Sequence, residues 1–126
     1  MLFACQGMGP RQEEAFSAIE ADETVYFTGT EPFWGGQVGG DQALWKTPDI
    51  IDGVRFRVSR FAGNNGVSFS GDLEGRSFDM TVTPAECSDG MSDRSYPYVA
   101  TVRLGEERYS GCAWTDAQTY TGPRTE

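Results

Sequence analysis

The chain has 126 residues, 13 % of them aromatic, and a formal net charge of −9. This length encloses one core, so we expect a single domain, and the acidity argues against a nucleic-acid partner. No apolar run reaches the roughly 18 residues that a membrane-spanning helix needs. Histidine is absent, which removes the Ser-His-Asp and Cys-His catalytic arrangements and the commonest zinc ligand. We expect no metal and no other cofactor.

The first residues, Leu2-Phe3-Ala4-Cys5, have the pattern of a bacterial lipobox. Leu2 is the branched apolar residue three positions before the cysteine, and Ala4 is the small residue next to it. We therefore interpret residues 1–23 as a truncated lipobox with Cys5 as the lipidation site, followed by a polar tether. A short helix after Pro10 is expected within the tether. The alternative is that Cys5 is an incidental thiol on a mobile end.

From Thr24 onward, apolar and polar residues alternate with the period of two that is typical of antiparallel strands. Phe78, Met80 and Val82, for example, alternate with Ser77, Asp79, Thr81 and Thr83. Turn residues separate such segments. The predicted strands are 24–30, 33–38, 42–46, 53–61, 66–73, 76–83, 97–104 and 107–114. Eight short strands predict an all-β fold, a small antiparallel meander barrel over residues 24–115, with residues 116–126 as a C-terminal tail.

The inward positions of this barrel carry large side chains. They include Phe56, Phe69, Phe78, Met80, Val82 and Val102. Such residues predict a filled interior and count against a small apolar ligand held inside, which is the arrangement of lipocalins.

Cys87 and Cys112 are the two late cysteines, and we expect them to form a disulfide while Cys5 carries the lipid. Their Cα atoms should then lie about 4.4–6.8 Å apart. A disulfide places the chain in an oxidising compartment. Residues 84–96 are predicted as an irregular loop, because Pro84 lacks an N–H and should end its strand.

Two segments resemble the signatures of an uncharacterised, mainly proteobacterial lipoprotein family. One is Thr28-Gly29-Thr30-Glu31-Pro32-Phe33-Trp34-Gly35, which is similar to that family's G-[TN]-E-P-F-W pattern. The other is Cys87-Ser88-Asp89-Gly90-Met91-Ser92-Asp93-Arg94-Ser95-Tyr96-Pro97-Tyr98, followed by Gly111-Cys112. The resemblance implies a secreted, lipid-anchored domain without an assigned activity. Gln6, rather than Asp, follows the lipidated cysteine, and by resemblance to other lipoproteins this implies a periplasmic protein attached to the outer membrane.

Residues 88–96 and the neighbouring rings are the candidate binding surface, because loops held by a rigid scaffold often carry function. The residues proposed for it are Met91, Arg94, Tyr96, Tyr98 and Trp34. Aromatic residues, Met and Arg are enriched at binding centres. The alternative is structural: the tyrosines seal the barrel end, and of Phe33 and Trp34 one ring enters the core. The spacing of Asp89 and Asp93 favours a role as turn caps over a role as Ca²⁺ ligands.

The leading hypothesis is a non-catalytic binding module, attached to the membrane through the lipid on Cys5. One possible partner is a basic envelope or host protein, which a chain of charge −9 would attract. Periplasmic inhibitors of C-type lysozyme are small barrels of this kind. Their Ser-Gly and Tyr motif is not recognisable here, since Tyr109-Ser110-Gly111-Cys112 has those elements in another order. A barrel for a small apolar ligand is the second hypothesis, and an enzyme the third.

The lipid anchor predicts a difference in fractionation. Expressed with a complete upstream signal, the wild-type protein should sediment with membranes, whereas Cys5→Ser should stay soluble in the periplasm, because the variant has no sulfur to acylate. Quantitative immunoblotting of the two fractions measures this. Equal solubility of both proteins would refute the anchor.

Overall fold

The structure is a computed structural model, and it describes residues 18–30, 33–88 and 94–122. In these ranges the chain forms eight antiparallel strands. They are β1 (Val25–Gly29), β2 (Trp34–Gly39), β3 (Gln42–Thr47), β4 (Ile50–Ala62), β5 (Val67–Leu73), β6 (Arg76–Cys87), β7 (Tyr96–Leu104) and β8 (Glu107–Thr115). Each strand pairs with the next in the chain, and β8 returns to β1, so the sheet closes into a barrel. This confirms the predicted all-β meander barrel.

The predicted helix after Pro10 lies largely outside the described residues, which begin at residue 18; residues 18–23 form bends and turns. No helix in the described ranges is long and apolar enough to cross a membrane.

The interior of the barrel is filled with side chains. Phe69, Phe78, Met80, Val82 and Val102 are all buried, as the alternating pattern predicted, and Phe56 packs partly buried against them. Each of these residues lies on the inward face of its strand and alternates along that strand with residues that face outward. The burial of this apolar area is the main source of stability in a domain of this size.

One end of the barrel is closed by aromatic rings, which we call the aromatic end cluster. Its members are Trp34, Trp45, Tyr109, Phe78 and Phe56. The two indoles are stacked with centroids 5.6 Å apart, and Tyr109 lies 5.3 Å from Trp45. Such ring pairs stabilise the fold by more than the apolar area that they bury.

Two glycines make room for the Trp34 indole. A Cβ on Gly29 would lie 2.2 Å from the Trp34 ring, and one on Gly111 would lie 2.9 Å from it. Both distances are below van der Waals contact, so larger residues at these positions would displace the indole. The close approach of the backbone to Trp34 therefore explains why β1 ends in glycine and why β8 has one opposite it.

The opposite end of the barrel is closed by the segments that flank the strands. Ile19 enters the core, and its backbone oxygen accepts a hydrogen bond from Arg60 of β4 at 2.5 Å. After β8 the chain turns back, and Gln118 bonds to the Ala18 oxygen and to Tyr98. Thr121 pairs with Ser95. Residues 116–122, predicted as part of a tail, are thus packed on the barrel in this structure.

The end of β6 differs from the prediction. Pro84 was expected to end its strand, but β6 continues to Cys87, so the irregular loop predicted from residue 84 is shorter. The register to β7 shifts between Pro84 and Cys87. A bulge of this kind leaves a residue without a ladder bond, which is where a strand tolerates proline.

The disulfide between Cys87 and Cys112 is confirmed. The two Cα atoms are 5.6 Å apart, inside the predicted range. Cys112 lies on the outer face of β8 and Cys87 is the last residue of β6, so the bond joins the two strands that pair with β7. It thereby ties the extended end of β6 to the last strand of the barrel.

Removing this bond should destabilise the fold. In the chain-entropy model a loop of this length corresponds to about 3.5 kcal/mol, and the two cysteines are 25 residues apart. Guanidinium unfolding of Cys87→Ala/Cys112→Ala should show a free energy of unfolding lower by about 3 kcal/mol. Wild-type protein unfolded under reducing conditions is the matched control and should agree with the double variant. A loss below about 1 kcal/mol would contradict this account.

Candidate functional site

Trp34 was proposed for a binding surface, and the structure corrects this. The indole is 2 % exposed because Trp34 pairs with Gly29 on the inward face of the first two strands. Its neighbour Phe33 precedes β2, and its side chain is 57 % exposed. Of the two adjacent rings, the first is therefore on the surface and the second is in the core. The sequence predicts this division of the two rings, but the exposed ring is Phe33 and not Trp34.

Tyr96 and Tyr98 are both buried, Tyr98 in the core of the barrel and Tyr96 beneath the outer rings Trp114 and Tyr120. Both are 3 % exposed. The Tyr98 hydroxyl donates to the Gln118 side chain at 2.8 Å, and the Tyr96 ring packs against Trp114 and Tyr120. The structural alternative, in which these rings seal the barrel, agrees with their burial. Desolvation raises the pKa of Tyr98 above its usual value of 10.0.

Arg94 is half-buried, and its guanidinium lies over the Tyr120 ring at 4.4 Å from the centroid. This cation–π contact links the residues before β7 to the segment after β8. Met91, Asp89 and Asp93 lie outside the described residues. The roles proposed for Met91 as a contact and for the two aspartates as turn caps stay predictions.

The structure places a different set of aromatic residues on the outside of the barrel. Tyr26 and Trp114 are directly opposite each other on β1 and β8, and both point outward. Their rings are stacked, with centroids 5.5 Å apart. Tyr120 meets Trp114 edge-on at 5.7 Å, and Tyr96 packs behind it at 5.3 Å. Neighbouring rings thus hold Trp114 in place from several sides.

A groove of about 240 Å³ runs beside this stacked pair. We call it the outer groove, and its outward side chains are Tyr26, Thr28, Phe33, Gln37, Lys46 and Trp114, with Gly35 between them. Thr28, Gly35 and Lys46 form one row across three neighbouring strands. Because Gly35 has no side chain, the row has a gap in its middle, and that gap is the floor of the groove.

A second depression of about 180 Å³ adjoins the first, and Thr28 lines both. Its lining is polar, with hydroxyls from Thr28, Thr30, Ser88 and Ser110 next to Cys112 of the disulfide. Because Thr28 lines both, the two depressions lie next to each other on the outer face, over β8, β1, β2 and β3. Their combined volume falls within the roughly 300–1,000 Å³ typical of small-ligand sites.

The charge of the outer groove is opposite to that of the protein. Lys46 is the only lysine of the chain, and none of the described residues that line the groove is a carboxylate. Among the described residues the one ion pair is Arg57 with Asp41, so Lys46 has no acidic partner in those ranges. Lys46 lies at a register shift in β3 and lines the groove.

Acidic residues gather instead at the end of the barrel that Ile19 closes. Glu20, Asp22, Glu23 and Asp116 line a shallow depression of about 420 Å³. In the ranges that the structure describes, no three or more His, Cys, Asp or Glu side chains are arranged to hold a metal ion. The four carboxylates make this end of the barrel acidic.

The outward-facing rings were not identified from the sequence, although a signal exists. Tyr26 alternates with the apolar residues Val25 and Phe27, and Trp114 alternates with Ala113 and Thr115. Applied to these strands, the period-two rule places both rings outside.

Comparison with known protein families, with curated proteins and with solved structures finds no significant match. The resemblance to the lipoprotein family therefore stays a prediction.

Glu23 makes the acidic end sensitive to pH. Burial alone would raise the pKa of its carboxyl, but hydrogen bonds from Thr115, the Glu20 N–H and Gln118, with the Arg60 charge, lower the pKa below its usual 4.5. A depressed pKa contributes stability at neutral pH, and this is lost as the pH falls through the folded-state value. Glu23→Gln should thus be less stable than wild type at pH 7 by about 1 kcal/mol or less.

The pH dependence separates this effect from a simple packing change. The gap between wild type and Glu23→Gln should narrow below pH 4.5 and close at lower pH, where wild-type Glu23 is also neutral. Urea unfolding at several pH values measures it, and Glu106→Gln in the exposed turn between β7 and β8 is the control. A gap that is constant with pH would contradict the assignment.

Proposed function

We propose that this chain is a non-catalytic binding domain of the bacterial cell envelope, and that the outer groove is its ligand site. The observation that supports this most is the combination of a filled interior with exposed and half-buried rings outside. A ligand cannot enter the barrel without displacing core side chains, but it can reach Phe33, Tyr26 and Trp114. Exposed aromatic residues beside free polar groups are common at binding centres.

The location is part of the same proposal. A lipid on Cys5 holds the domain at the periplasmic face of the outer membrane, and the tether lets the barrel reach ligands near that surface. The disulfide between Cys87 and Cys112 is compatible with this oxidising compartment. The absence of histidine and the use of these two cysteines in a disulfide support a binding role over catalysis.

A second candidate function is binding of a basic envelope or host protein, as lysozyme inhibitors do. The acidic depression lined by Glu20, Asp22, Glu23 and Asp116 favours it. Carboxylates clustered on one end attract a cationic surface and speed its association. The small apolar ligand considered from the sequence is less well supported, because Met80, Val82 and Val102 are fully buried in the interior.

Cosedimentation with washed envelope fragments tests the groove. The lipid-free variant Cys5→Ser is used, so that binding does not depend on the anchor. Phe33→Ala in this background should reduce the bound fraction about tenfold, because it removes the exposed ring at the groove. Phe61→Ala is the matched control: Phe61 is 69 % exposed on β4, away from the groove. It should bind as the parent does.

The same assay tests the second candidate function. If Glu20→Gln/Asp22→Asn/Asp116→Asn loses binding while Phe33→Ala keeps it, the acidic end is the site and the groove proposal is wrong. Cosedimentation that is unchanged in Phe33→Ala also contradicts the groove.

A further inference from the structure

We infer that the ligand of the outer groove is a saccharide chain that carries a carboxylate group. This inference rests on the function proposed above, because it names the chemical class of ligand for the same site. Four observations support it: the arrangement of the aromatic rings, the polar side chains that lack a described hydrogen-bond partner, the charge of Lys46 and the volumes of the two depressions.

The rings offer a surface for the apolar face of a sugar. A pyranose ring has C–H groups on one face and hydroxyls around its edge, so it packs against an aromatic ring and hydrogen-bonds sideways. Trp114 is held between Tyr26, Tyr96 and Tyr120 at centroid distances of 5.3–5.7 Å. Because these contacts exist without a ligand, little conformational entropy is lost when one binds.

The polar groups of the groove match a hydroxyl-rich ligand. The side chains of Thr28, Gln37 and Lys46 make no hydrogen bond or ion pair with one another or with any other described residue. Together they provide a hydroxyl, an amide and an ammonium, which both donate and accept. A purely apolar ligand would bury these groups without partners, and that costs free energy.

The charge of the groove selects an acidic ligand. Lys46 is the only lysine in a chain of net charge −9, and it lines a groove whose described residues include no carboxylate. A ligand carboxylate at Lys46 forms a charge-assisted hydrogen bond, whereas a cationic ligand is repelled by Lys46. Hence the groove and the acidic end of the barrel favour ligands of opposite charge.

The dimensions favour a chain of sugars over a folded protein. A stable protein interface buries roughly 800 Å² on each partner and so needs a broad surface, whereas the two depressions here have small volumes of about 240 and 180 Å³. The second depression continues from the first through Thr28 and is lined by further hydroxyls. One sugar therefore stacks at the rings, and the next lies over Thr30 and Ser110.

Two disaccharides that differ by one acidic group test the inference. N-acetylglucosaminyl-N-acetylmuramic acid carries a lactyl carboxylate, N,N′-diacetylchitobiose lacks it, and the methyl ester of the first removes only its charge. Each is titrated into the ¹⁵N-labelled Cys5→Ser protein. We expect the acid to shift the backbone amide signals of Tyr26, Thr28, Gln37 and Lys46 and to bind about fivefold tighter than the ester or chitobiose.

Four variants assign the effect to side chains. Lys46→Gln should weaken the acid about fivefold and leave the neutral sugars unchanged, so that the preference disappears. Phe33→Ala should weaken all three sugars about tenfold. Phe61→Ala and Arg103→Gln are matched controls on other parts of the barrel, both at exposed positions, and should bind as the parent does.

Several results would overturn the inference. These are the absence of groove shifts with any sugar at millimolar concentration, equal affinity for the acid and its ester, or tighter binding of a proline-rich peptide. Groove shifts that follow protein concentration alone would assign the surface to a second copy of the chain. If the sugars fail while envelope binding still depends on Phe33, the saccharide inference is wrong and the binding function remains.

Discussion

The stacking of Trp34 on Trp45 inside the barrel is the interaction on which the rest of the structure depends. The two indoles, with Phe27, Phe78 and Tyr109 around them, occupy the space where barrels of this strand number sometimes hold a ligand. Their volume requires glycine at position 29 of β1. Ile19 closes the other end. The described part of the barrel is filled and closed at both ends, which leaves its outer surface for the binding proposed above.

The outer surface differs from place to place in its exposed apolar area and in its charge. The strand register explains the difference in apolar area. In a closed barrel every second side chain faces water, so each outward aromatic ring exposes apolar area unless something covers it. Trp114 is partly covered by Tyr96 and Tyr120, while Phe33 is left open. Gly35 between Thr28 and Lys46 turns this patch into a groove. The one lysine lies at the groove, and acidic residues line the end that Ile19 closes.

The fold was predictable because its signals are local. The alternation of apolar and polar residues, together with the turn residues, located the eight strands to within a few residues. The number and positions of the cysteines predicted the pairing of Cys87 with Cys112. The predicted end of β6 at Pro84 was wrong, because a bulge that depends on the partner strand lets β6 continue.

The candidate site was harder to predict from the sequence than the fold. Whether Tyr96 is buried depends on Tyr120, which follows it by 24 residues and folds back only in three dimensions. Choosing Trp34 over Phe33 for the surface required the register of β1 and β2.

The claim that the interior is a closed core is tested most directly by methyl NMR during titration with an apolar ligand. Laurate is added to protein whose Met80, Val82 and Val102 methyl groups are labelled, since all three are fully buried inside the barrel. This account predicts that their signals do not move, even where laurate touches the exposed rings outside. Saturable shifts of these core methyl signals, at a stoichiometry of one laurate per chain, would show that the barrel opens to a ligand and would contradict the account.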